Sequence, residues 1–269
     1  MVYENKYYKY EDPEYSITQT PLNEQDLKTM SEAVEVLRQF KGFSYFTEMS
    51  DIINRLEDHV ASARMKTTPV IDFEKNESLK GLDYLDTIYH AIVNEHPIQL
   101  KYRSFKARSA NSFIFYPYLL KEYRNRWFVY GVRGNGRILQ NLALDRIQSL
   151  EVLPQEHYIK NTFFDPNTFF DDLVGVTKNT GSVAEKVGFK VAAAEAPYII
   201  TKPIHRSQQV MERLADGSVI LEIEVVINHE LERVFFRYAE GIQVLYPKTL
   251  VELMGRKLKK AAEQYTHSK

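Results

Sequence analysis

The hydrophobic period changes at Ile98, and that change limits what the chain can fold into. Just upstream, Leu82, Leu85, Ile88, Tyr89 and Ile92 recur at the 3/4 spacing of one helix face. From Ile98 the period is two. Ile98, Leu100 and Tyr102 alternate with polar residues, Phe113 and Phe115 oppose Ile114 and Tyr116, and Trp127 and Val129 oppose Phe128 and Tyr130. Gly134-Asn135-Gly136 is a hairpin signal, after which Leu142, Leu144 and Ile147 continue the alternation. Short strands this close together, with turns between them, predict a small β-barrel or curled sheet.

A second pattern follows an irregular stretch whose Phe163, Phe164, Phe169 and Phe170 are its natural anchors. A strand at Val187–Ala193 precedes a short helix near Glu195–Thr201. Strands His205–Leu214 and Ser218–Ile227 flank an Asp216-Gly217 turn. Helix His229–Ala239 starts after Asn228 as cap, and strand Ile242–Leu245 runs to Pro247. A last helix opens on a capping box, Thr249 to Glu252. The order β-α-β-β-α-β is the ferredoxin-like arrangement. The N-terminal part reads differently. A possible strand at Tyr15-Ser16-Ile17 lacks partners. Two amphipathic helices follow, one with Leu27, Met30, Val34 and Leu37 on its face, the other with Ile52, Ile53, Leu56 and Val60. Residues 69–78 read as a linker. The fold class is therefore α+β.

Charge is distributed unevenly. Ile98–Leu150 carries ten cations (Lys101, Arg103, Lys106, Arg108, Lys121, Arg124, Arg126, Arg133, Arg137, Arg146) against Glu122 and Asp145, a local +8 in a chain whose total is −1. The same stretch holds Trp127, the only tryptophan, among ten aromatics. Guanidinium groups suit phosphate and rings suit bases, so this mixture points to an anionic, planar ligand.

Catalytic signatures are missing from the sequence. The seven histidines are scattered, with no His-x-x-x-His pair on a helix face, and there is no cysteine for a thiolate site. No Walker loop or Gly-x-Ser-x-Gly elbow occurs. Gly134-x-Gly136 lacks the third glycine of a dinucleotide loop, because Leu139 stands there. These absences favour a binding protein over an enzyme, with no metal and no cofactor expected. No apolar run approaches the roughly 20 residues of a membrane span, and the N-terminus is not a secretion signal, so the cytoplasm is the expected location.

Tyr116-Pro117-Tyr118-Leu119-Leu120, Trp127-Phe128-Val129 and Leu144-Asp145-Arg146-Ile147 together resemble the WYL-domain transcriptional regulators of bacteria. Trp-Phe-Val is a conservative variant of that family's tripeptide. Downstream, Pro203-Ile204-His205-Arg206-Ser207-Gln208, Asn228-His229-Glu230-Leu231 and Val244-Leu245-Tyr246-Pro247 resemble the C-terminal WCX extension. The resemblance implies a layout. Residues 1–20 would be the remnant of a winged helix-turn-helix wing, truncated within that domain, and 21–78 a helical linker and dimerisation region. Residues 79–155 would be the WYL domain, an Sm/SH3-like barrel, 156–183 an irregular connector, and 184–269 the WCX domain.

The resemblance also implies a function: sensing a nucleic acid fragment or nucleotide-like anion and passing the signal to DNA bound by the full-length protein. The ligand-binding candidates are Tyr102, Arg103, Tyr116, Tyr118, Trp127, Arg133, Arg137 and Arg146. Trp127, in an alternating strand, is also a natural core residue. Two departures stand out: Phe113 replaces an arginine common before the proline, and Leu139-Gln140 replaces one before Leu-Asp-Arg-Ile, with Arg133 or Arg137 as candidate substitutes. Asp145 and Arg146, as neighbours in a strand, are expected on opposite faces and so unpaired. His205 and Ser207 are expected within a strand. The same residues also fit a different role, a homodimeric assembly module whose basic barrel face meets an acidic protein surface.

Overall fold

The computed structural model describes residues 2–4, 7–9, 29, 80–134 and 138–266. The chain divides into two compact units, residues 1–78 and 79–269. In the first, β1 (Val2–Glu4) and β2 (Tyr7–Lys9) pair antiparallel with Tyr3 opposite Tyr8. The expected strand at Tyr15–Ile17, the two N-terminal helices apart from Thr29, and the linker at 69–78 lie outside the described residues.

The second unit opens with a 3-10 turn, Leu82–Tyr84, that runs into α1 (Leu85–Val93). Leu85, Ile88 and Ala91 are fully buried, and the helix lies on β4 (Asn111–Tyr123). Tyr89 was expected inward but is 44% exposed. A short helix on one sheet face buries only the narrow Leu85–Ile88–Ala91 stripe and leaves Tyr89 on the rim. Gly81 has a φ of +81°, and a Cβ there would stand 2.3 Å from the Leu144 carbonyl oxygen. Only glycine allows the helix entry to lie this close to that turn.

The alternating segments form one antiparallel sheet. β3 (Ile98–Tyr102), β4, β5 (Arg126–Arg133), β6 (Leu139–Ala143) and β7 (Ile147–Val152) lie in the order β6-β5-β4-β3-β7. The fifth strand thus returns beside the first, as expected for an Sm/SH3-like curled sheet. Ile98, Leu100, Phe115 and Val129 are fully buried within it. Pro117 has no N–H to give to a ladder, and the β4–β5 register shifts between Pro117 and Leu119. The shift leaves Tyr118 as an unpaired bulge residue. Between β6 and β7 the alternation breaks, and Leu144–Arg146 form a 3-10 turn, not the continued strand that the sequence suggested.

The connector packs on the sheet through aromatic rings. Phe164, Phe169 and Phe170 surround Tyr130 at centroid distances of 6.2, 5.8 and 5.3 Å. Phe163 stacks on Tyr118. Beyond them, residues 174–178 form a strap held from two sides. From the sheet, the Tyr130 hydroxyl and Asn141 Nδ2 both donate to the Val176 carbonyl, the latter at 2.6 Å. From the other domain, Asn228 Nδ2 donates to the carbonyls of Val174 (3.0 Å) and Thr177 (2.9 Å), and Thr177 Oγ1 donates to Glu230 Oε1 (2.8 Å). Gly175 lies between them at φ +95°, where a Cβ would meet the Glu230 side chain at 2.5 Å.

The last domain contains β8 (Glu185–Val191), α2 (Ala196–Thr201), β9 (Gln209–Arg213), β10 (Val219–Val225), α3 (His229–Arg237), β11 (Ile242–Tyr246) and α4 (Lys248–Thr266). Strand order β11-β8-β10-β9 is the ferredoxin-like order. Val187, Phe189, Val191, Leu221 and Ile223 make its core with Leu231, Phe235 and Leu250 from the helices. Asn228 is the expected cap, its Oδ1 accepting the Leu231 N–H at 2.9 Å. Two expectations shift. The last helix begins at Lys248 and its first N–H groups bond to the Pro247 carbonyl, so Thr249 lies inside the first turn and is no cap. β9 starts at Gln209, so His205 and Ser207 stand in the preceding turn. There the Ser207 N–H and hydroxyl both meet His205 Nδ1.

Three outcomes follow from this packing. Asn228→Ala removes a helix cap and two buried donors together and should cost about 2 to 3 kcal/mol in urea unfolding. Asn228→Asp, which keeps the cap oxygen, should cost less. Gly175→Ala forces both a strained φ and a clash with Glu230 and should destabilise by about 1 to 3 kcal/mol in the same measurement. Burial pushes the His205 imidazole below its usual range, with Arg206 acting the same way and the Asp171 backbone, Asp172 and Asp171 opposing. The unfolded chain therefore takes up this proton first as pH falls. Stability should fall as pH drops through and below the ordinary histidine range, and His205→Gln should flatten that slope in melts across pH.

Candidate functional site

Tyr102 ends β3, and its ladder partner on β7 is Ile147, the residue after the 3-10 turn. The Arg103 N–H then donates to the Arg146 carbonyl at 3.1 Å. The end of β3 and the turn between β6 and β7 are thereby tied together, which brings Tyr102, Arg103 and Arg146 to one corner. Burial raises the Tyr102 phenol above its usual value, while the Arg146 guanidinium beside it pulls the other way. The phenol stays protonated at neutral pH and faces a cation.

Asp145 and Arg146 do approach each other, contrary to the expectation from strand geometry. Consecutive side chains in a 3-10 turn are not on opposite faces, and Arg146 Nε lies 3.8 Å from Asp145 Oδ1. That distance is within ion-pair reach but too long for a hydrogen bond. Both atoms are buried and neither has a hydrogen-bond partner among the described residues. The other carboxylate oxygen, Oδ2, is held by Arg126 Nε at 3.2 Å, from the start of β5. The Arg146 Cζ lies over the Phe105 ring, 4.5 Å from its centroid. Sequence reasoning counted Arg126 among the cations but selected neither it nor Phe105. No local spacing links residues 105, 126 and 146, because the curl of the sheet brings them together.

The other candidates are placed elsewhere. Arg133 stands opposite Phe115, with its guanidinium 4.0 Å over the Phe113 ring. The arginine thus covers the residue that replaces the family's usual arginine. Arg137 lies outside the described residues. Tyr116 and Tyr118 turn toward the connector. Tyr116 meets Tyr158 edge-on at 6.1 Å, and Tyr118 is buried with its hydroxyl donating to the Ile159 carbonyl at 2.9 Å. Burial pushes the Tyr118 phenol up to about 12, so it remains a donor. Trp127 is half-buried opposite Glu122.

Away from this corner, a concavity of about 510 Å³ is lined by Asp171, Asp172, Ala184, His205, Arg206, Ser207 and Glu224. Two of its three acids are paired, Asp171 with Arg206 at 2.7 Å and Asp172 with Lys178, from outside the lining, at 2.7 Å. Among the described residues there is no cluster of His, Asp and Glu placed to hold a metal ion, and no helix is long and apolar enough to cross a membrane.

Comparison with known proteins finds two family matches. The WYL domain model matches residues 83–152 and the WCX domain model matches residues 184–262. Among solved structures, the chain is similar to proteasome accessory factor B/C (PafBC) of Arthrobacter aurescens, at 15% identity and a TM-score of 0.28, over 71% of this chain and 28% of that one. The chain thus spans little more than a quarter of the PafBC chain's length. It is also similar to a CRISPR Cas-related protein, at 11% identity and a TM-score of 0.44, over 94% of this chain and 89% of that one. No curated protein matches. The chain belongs to the proteins that join a WYL domain to a WCX domain.

Proposed function

We propose that this chain is the ligand-sensing part of a WYL-family DNA-binding transcriptional regulator, and that the basic corner of its WYL sheet binds a nucleic acid fragment or nucleotide-like anion. One observation carries the reading. Arg146 faces Tyr102, Arg126 pairs with Asp145 beside it, and the Arg103 backbone is bonded to Arg146, so three arginines and one acid, Asp145, share the corner, a net positive charge. The pairing of WYL and WCX domains, found in regulatory sensor proteins, supports the same role. Asp145 orients the arginines and a phosphate would complete their bonding, as guanidinium groups favour bidentate oxyanions. Tyr102, kept protonated by burial, adds a neutral donor. In the full-length regulator, DNA would be the second partner and the working unit a cytoplasmic homodimer.

The reading is tested by fluorescence anisotropy with a labelled dodecathymidylate and its uridylate counterpart. Binding should fall in the micromolar range at low salt and weaken steadily between about 50 and 200 mM salt, as counterion release requires. Arg103→Ala should reduce the salt slope by about 0.7, the loss of one phosphate contact on a single strand. Arg146→Ala should weaken both probes. If neither oligonucleotide binds at low salt, the corner is not a nucleic acid sensor. Homodimerisation is checked separately by light scattering of the full chain, where a monomeric mass at every concentration would remove that part of the reading.

A further inference from the structure

The loop between β3 and β4 presents a phenylalanine where burial alone would not place one. Phe105 is 73% exposed. It sits in a turn closed by the Ala107 N–H on the Ser104 carbonyl at 3.0 Å, which turns its side chain out from the sheet. Arg103, Lys106 and Arg108, its neighbours in the loop, are all exposed cations. One face of the ring is covered by the Arg146 guanidinium at 4.5 Å, so the exposure belongs to the opposite face and the edge. Arg146 is in turn fixed in the 3-10 turn beside Asp145, which Arg126 anchors. A single exposed aromatic is ordinary on a protein surface. A ring with a guanidinium over one face, and cations along the chain on both sides, is the arrangement that accepts a base on its free face and phosphates at its flanks.

We propose that Phe105 is a base-stacking residue for single-stranded nucleic acid, and that Arg146 is the positioning residue that holds its ring. This rests on the reading above that the corner takes a nucleic acid strand, and adds that the strand is gripped by a base as well as by its phosphates. A stack of base, phenylalanine and guanidinium is tolerant of sequence, because every base has a flat face. The same corner would discriminate against anions that lack one. An acidic peptide offers charge to Arg103 and Lys106 but nothing planar for the free face of Phe105.

The test compares two probes of equal length, dodecathymidylate and an oligomer of abasic sites, on the full chain and on three variants. Phe105 is exposed, so its replacement leaves the core intact. Phe105→Ala should weaken thymidylate binding about fivefold or more, the lower range for losing one stacked base, and leave the abasic probe unchanged. Phe105→Trp should restore or strengthen thymidylate binding. Arg146→Lys keeps the charge but loses the plane, and should weaken thymidylate binding more than it weakens the abasic probe. If the full chain binds both probes equally, or if Phe105→Ala leaves thymidylate binding unchanged, the stacking role is overturned while the anion-binding reading stands. If the full chain binds neither probe, that reading fails and the stacking role with it.

Discussion

The Val176 carbonyl and the short strap around it decide whether this unit is one body or two. Tyr130 and Asn141 reach the carbonyl from the WYL sheet, and Asn228 and Glu230 hold Val174 and Thr177 from the start of α3. These hydrogen bonds are buried or partly buried, worth little net when made and expensive when left open. Removing either set would leave its own strap groups, the Val176 carbonyl on one side or those of Val174 and Thr177 on the other, without these partners. The aromatic cluster of Phe164, Phe169 and Phe170 around Tyr130 excludes the water that would otherwise substitute. Glu230 shows how tight the closure is: its Oε1 is engaged by Thr177, while its Oε2 is buried without a hydrogen-bond partner among the described residues.

Much of this architecture was legible in the sequence because two periods carry it. Ile98, Leu100, Phe113 and Phe115 announce a half-buried sheet, and the order of strands and helices after Glu185 specifies a ferredoxin-like domain before any packing is known. Asn228 is readable as a cap because the chemistry of helix starts is local. What was not legible is non-local. Strand order places β7 beside β3, and that pairing, not any spacing, sets Arg146 next to Tyr102. The 3-10 turn at Leu144–Arg146 was read as strand because two alternating leucines precede Ile147. The same misreading separated Asp145 from Arg146.

The candidate site was partly legible for the same reason. Tyr102 and Arg146 come from motif matching and do meet, and the backbone of Arg103, which came from no motif, is bonded to Arg146. Tyr116 and Tyr118 come from a motif too, but on either side of the Pro117 bulge both face the connector, Tyr116 against Tyr158 and Tyr118 bonded to the Ile159 carbonyl. A bulge cannot be inferred from composition. It follows from proline's missing N–H combined with a ladder that must continue on both sides.

The strap bears on how such proteins can be divided. Sequence boundaries place the WYL domain before residue 153 and the WCX domain after 183, which leaves the segment between them looking dispensable. Its carbonyls are nevertheless structural ligands of both neighbours. A fragment ending at residue 155 would expose the aromatic face of Tyr130 and Tyr118, and a fragment beginning at 184 would leave the cap of α3 without half its partners. A fragment of this protein that keeps both interfaces closed therefore has to carry the WYL sheet, the strap and the WCX domain together, because a cut on either side of the strap opens one of the two.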